Sequence, residues 1–72
     1  MSLTLYTVYK NPKDYPDDHV IRRWSVKDGK VLPQELFARA RTLSAVRRKL
    51  PPGVFNLGRE VDDDACIVET WV

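Results

Sequence analysis

Few side chains in this sequence could do chemistry, and their spacing limits what each could do. His19 follows Asp17 and Asp18, a setting in which an imidazole could titrate or act as a base. A base needs a nucleophile or a metal to serve, and neither is spaced near it. Asp62, Asp63 and Asp64 could offer carboxylate oxygens to a divalent cation. The run lacks the alternating ligand positions and the glycine of a calcium loop, so it reads as a solvated turn. Cys66 is the only cysteine and His19 the only histidine, which leaves no zinc-ligand spacing and no disulfide. Cys66 has the strand parity of Val68 and Val72 and reads as a small buried hydrophobe. These residues indicate no catalytic group, metal or cofactor, and the expectation is a protein that is not an enzyme.

Two other clusters carry more information. In HVIRRWSV (19–26), Arg22 and Trp24 share a parity with Val20 and Val26, while Arg23 has the other; in IVETWV (67–72), Glu69 and Trp71 share a parity with Ile67. If the two strands are antiparallel neighbours with Arg22 opposite Glu69, Trp24 falls opposite Ile67 and Val20 opposite Trp71. Arg22 could then take the carboxylate in a bidentate pair and stack on indole, a cation–π contact of about 0.5–2 kcal/mol. One reading makes this pair a device that fixes strand register. The other makes Arg22, Trp24, Glu69 and Trp71 a recognition patch, since Trp and Arg are enriched at interface hot spots. Tyr15 joins the binding candidates because it lies in the loop 11–18, stiffened by Pro12 and Pro16, and rigid loops on a sheet often carry function.

These residues need elements to hold them. LTLYTVYK (3–10) is β-rich and is ended by NPKDYPDD. A second strand, 19–27, runs into Asp28-Gly29, a type I′ hairpin signal between Val26 and Val31, with Pro33 limiting the return. From Gln34 to Leu50 two patterns compete. Leu36, Ala40, Leu43, Val46 and Leu50 have helical spacing, while 35–40 also alternates. Thr42 reads as an N-cap and Pro51-Pro52-Gly53 as a stop, so 43–50 is helical on either account. A short strand at 54–57 and a closing strand at 65–72 complete the chain. The expected fold is α+β: one domain over 1–72, a small antiparallel sheet of four to five strands with one helix packed on one face.

The 72 residues carry a net charge of +2, too little to name a partner. The distribution says more: 36–50 holds Arg39, Arg41, Arg47, Arg48 and Lys49 with no acid, and 60–72 holds five acids with no base. Arg47, Arg48 and Lys49 could contact phosphate, with Tyr6, Tyr9 and Trp24 stacking bases. Equally, cations in the last helical turn complement its dipole. No apolar run approaches the ~20 residues needed to span a bilayer. The lone cysteine and the lack of a signal-like N-terminus fit the cytoplasm. A small unstapled core, with the uncharged 3–9 segment available as a sheet edge, favours a homodimer.

The elements Asp14-Tyr15-Pro16, Arg22-Arg23-Trp24, Leu50-Pro51-Pro52-Gly53 and Ile67-Val68-Glu69-Thr70-Trp71 resemble a group of short uncharacterised bacterial proteins with the pattern D-Y-P, R-R-W, L-P-x-G and I-V-E-x-W. The resemblance implies a bacterial source and brings no activity, ligand or site residue with it. The sequence therefore points to a non-enzymatic interaction or accessory domain with a protein partner, and alternatively to a weak nucleic-acid binder.

Overall fold

The computed structural model describes residues 2–32, 34–59 and 65–72. Its elements are β1 (Ser2–Lys10), β2 (His19–Lys27), β3 (Lys30–Val31), β4 (Glu35–Ala40), α1 (Leu43–Arg47), β5 (Asn56–Gly58) and β6 (Ile67–Trp71). All strand pairings are antiparallel, in the order β3-β2-β1-β6-β5, with β4 also pairing to β2. β3 and β4 share the outer edge of β2: β3 takes Val26 and Lys27, and β4 takes His19 to Arg23. The sheet is thus larger than the four to five strands expected from sequence, and the helix is the minor part of the fold.

The competition over 34–41 resolves as strand. Alternation prevails because β2 offers a free edge there, and a bulge between Ile21 and Arg22 releases Phe37 to pack on the helix side. Asp28 (φ 51) and Gly29 (φ 76) both occupy the left-handed region, as a type I′ turn requires, and pair Lys27 with Lys30. The expected strand at 54–57 is shifted to 56–58, and the closing strand is trimmed to 67–71. The aspartates at 62–64 and Pro33 lie outside the described residues.

Thr42 caps α1 as its sequence predicts, with extended backbone and its hydroxyl oxygen accepting from the Ala45 amide at 3.1 Å. The helix is shorter than 43–50. Lys49 and Leu50 donate to Val46 and Arg47, three residues back, which tightens the last turn ahead of Pro51.

Directly opposed residues of an antiparallel pair share a face. Val8 opposes Ile21, Ile21 opposes Ala38, and Tyr6 opposes Trp71. That side is the helix face, where Val8, Ile21 and Val46 are fully buried with Tyr6, Phe37, Leu43, Val68 and Trp71 around them. Val20 has the other parity and is also fully buried, on the face where the loop 11–18 reaches Arg22 and Arg39 through Asp14 and Asp18. The loop is closed by Asn11 N–H to Asp18 C=O at 2.9 Å and Tyr15 N–H to Pro12 C=O at 3.0 Å, with Pro12 buried.

Val46 is the one fully buried residue of the helix and seals Val8 and Ile21. Val46→Ala should destabilise by about 1–3 kcal/mol. Ser44→Ala, on the exposed side of the same helix, should stay within about 0.5 kcal/mol. Urea midpoints of the two variants check the comparison.

Candidate interaction surface

The expected neighbourhood of Arg22 and Glu69 does not exist, because β1 lies between β2 and β6. β6 pairs with β1, setting Glu69 opposite Val8 and Trp71 opposite Tyr6. Parity groups Glu69 with Trp71 as expected, but a bulge sets Ile67 opposite Tyr9 on the other face, and Arg22 and Glu69 point to opposite faces. Arg22 and Trp24 share their face with Thr7 and Leu5, whereas Glu69 and Trp71 belong to the helix face.

Glu69 is 3% exposed and its partner is Arg47 of the helix. Arg47 donates from Nε at 2.9 Å and from a terminal nitrogen, and Trp71 Nε1–H also donates to the carboxylate. The Arg47 hydrogen bonds hold the Glu69 carboxyl below its ordinary value against the opposing effect of burial, with Trp71 adding to the same direction. Arg47 is thus committed to a structural pair. Arg48 and Lys49 remain exposed beside it.

On the other face the loop residue Asp14 accepts from Arg22, whose guanidinium lies 5.5 Å from the Tyr9 ring centre. Arg39 sits 4.9 Å over the Tyr15 ring and pairs with Asp18 at 3.5 Å. Tyr15 is therefore a platform for Arg39, part-buried by it. Trp24 lies across the sheet, donating from Nε1 to the Thr7 hydroxyl at 2.8 Å and helping to bury Thr7. His19 shares the helix-face parity and its Nδ1 is 3.2 Å from the Arg41 carbonyl. Tyr9, Pro12, Lys13, Arg22 and Cys66 line a cleft of about 360 Å³ under the loop.

The five binding candidates therefore split. Arg22, Trp24 and Tyr15 are on the loop-bearing face, and Glu69 and Trp71 are on the helix face. The nucleic-acid set splits too: Tyr6 is packed edge-on to Phe37 under the helix, 5.0 Å between centroids, while Tyr9 and Trp24 are on the side away from Arg48 and Lys49. β1 is bonded on both sides, so it is not the exposed edge from which pairing with another chain was expected.

What the topology brings together was missed from sequence. The loop covers only the end of its face that holds Val20 and Tyr9. Beyond it, Leu3 opposes Val26 and Val26 opposes Val31 in one row. In the next row Leu5 opposes Trp24. Val72, two residues past Thr70, which opposes Thr7, falls on this face and exchanges two backbone hydrogen bonds with Phe55. Phe55 is 76% exposed, Val31 63% and Leu3 48%; Leu5, Trp24, Val26 and Val72 are half-buried. These seven side chains carry no charge, in a chain where 31% of residues are charged. On the reverse side of the same hairpin, Thr4 and Ser25 oppose each other, and Lys27 opposes Lys30. The distal hairpin is amphipathic, with its apolar side turned away from the protein's own helix.

No protein-family model matches the chain, and neither a curated protein nor a solved structure does. Among the described residues there is no helix long and apolar enough to cross a membrane, and no cluster of three or more metal-ligating side chains.

Glu69→Ala removes a buried acceptor from Trp71 and from a half-exposed Arg47, at an expected cost of about 1–3 kcal/mol. Glu35→Ala, which breaks the exposed pair with Arg23, should cost less, because solvent screens that pair. Because the folded Glu69 value is depressed, its contribution is complete above the ordinary glutamate value of 4.5 and is lost as pH falls through the lower folded value. Acid titration of stability should therefore be shallower in Glu69→Gln than in the wild type below about pH 4.5; equal slopes would contradict the pairing.

Proposed function

We propose that this chain is a non-enzymatic interaction or accessory domain that works through protein contacts made by the open half of its loop-bearing sheet face. One observation carries the reading: seven apolar side chains with no charge among them occupy a contiguous sheet surface that neither α1 nor the loop 11–18 covers. Monomeric proteins seldom leave a patch above a few hundred Å² uncovered unless it binds something.

Magnitudes favour this patch over the charged candidates. The Arg22–Asp14 pair is part-exposed, and solvent screening leaves such pairs contributing little. Each large apolar side chain taken fully out of water contributes about 1.5–3 kcal/mol. Trp24 is the natural centre, flanked by Leu5 and adjacent to the Leu3–Val26–Val31 row, and tryptophan is the residue type most enriched at hot spots. Arg22 then serves as a polar rim, its carboxylate partner supplied from within the chain. A lone cysteine fits action in the reducing cytoplasm.

A photo-cross-linking side chain at position 55 should capture a protein in cells, and the same group at position 44, on the outer side of α1, should not. Equal capture at both positions, or none at 55, overturns the reading. Heparin chromatography separates the nucleic-acid alternative: a phosphate-binding chain elutes late, and earlier as salt rises.

A further inference from the structure

We infer that the occupant of the open face is a second copy of this chain, packed sheet on sheet about a two-fold axis; this rests on the reading of that face as the interaction surface. A two-fold contact sets a patch against itself, so any charged residue at its centre would meet its own like. The seven residues Leu3, Leu5, Trp24, Val26, Val31, Phe55 and Val72 include none, and the patch is self-complementary without alteration.

Shape and area point the same way. The uncovered rows belong to an antiparallel sheet, and two such faces bury their side chains by stacking about 10 Å apart with strand directions within about 30° of each other. An aromatic side chain buries about 150–250 Å², and Phe55, at 76% exposed, has most of that still to give. With Val31, Leu3 and the four half-buried neighbours, and with Leu36, opposite Arg22, exposed at the rim, the face approaches the ~800 Å² per partner of a standard interface.

The monomer's own interior also leaves room for this. Among the described residues only Val8, Val20, Ile21 and Val46 are fully buried apolar side chains. Packing two open faces together would give each copy a second apolar layer on the side where a single helix cannot reach. The distal hairpin would then have its apolar side inside and its Thr4, Ser25 and lysine side in water.

Sedimentation of the full chain across micromolar concentrations tests the assignment. The wild type should be a dimer that persists in about 1 M salt, because no charge pair crosses its centre. Phe55→Asp and Val31→Asp should each raise the dimer dissociation constant by about 100-fold or more, since each substitution enters the contact twice. Thr4→Asp, on the helix face, should leave it unchanged. Both aspartate substitutions are at highly exposed positions of the monomer; circular dichroism checks that each folds, and either one alone reads the effect. A wild type that stays monomeric, or a dimer indifferent to both substitutions, overturns the inference. A monomer that still captures a foreign protein from position 55 removes the second copy and keeps the interaction face. A monomer that captures nothing removes both.

Discussion

A β-sheet five strand positions wide has two faces to take out of water, and among its described residues this chain supplies one five-residue helix and one eight-residue loop to cover them. The rest of the structure follows from how that short supply is placed. The helix goes where Val8 and Ile21 stand opposite each other at the middle of the sheet, and its single fully buried side chain, Val46, closes that layer. The loop folds onto the reverse side, where Pro12 and Val20 are buried. Nothing among the described residues remains for the distal half of that side. The open apolar rows are therefore a consequence of topology, and they give the molecule its most distinctive surface.

The charged residues reinforce the placement of the two covers. Arg47 fastens the helix to the sheet through Glu69, whose buried carboxylate also receives the Trp71 indole N–H. Asp14 and Asp18 fasten the loop through Arg22 and Arg39, with Tyr9 and Tyr15 as aromatic supports. Both devices join a cover to a strand, and the two differ in depth. Glu69 is nearly dry, so its loss leaves a polar group unsatisfied, while the loop pairs are wet and individually weak. The basic segment and the acidic end of the chain meet within one chain at the buried Arg47–Glu69 pair.

Much of the candidate surface was legible in pieces. The Asp28-Gly29 turn fixes the hairpin register and so places Val26 beside Val31. Alternation puts Trp24 and Val26 on one face of β2, and puts Leu3 and Leu5 together on β1. The same alternation applied to β6 correctly groups Glu69 with Trp71. What fails is the joining of β2 to β6: a strand's parity says which residues travel together, and says nothing about which neighbour they will face. Once β1 takes the central position, Arg22 and Glu69 are separated by a whole strand and turned to opposite sides.

The sequence by itself determined the local elements, because their causes are local. β-branched and aromatic runs make β1 and β2, the left-handed positions at Asp28 and Gly29 make the turn, the Thr42 hydroxyl starts the helix, and Pro51 helps to stop it. Only the tertiary structure decided three other matters: the strand order, the choice of β over α at 35–40, and the identity of the partner of Glu69. Each depends on contacts between residues far apart in the chain, where an open strand edge or an empty sheet face outweighs propensity. Which apolar residues stay uncovered is of the same kind, since exposure is a property of what packs against a face and not of the residues that form it.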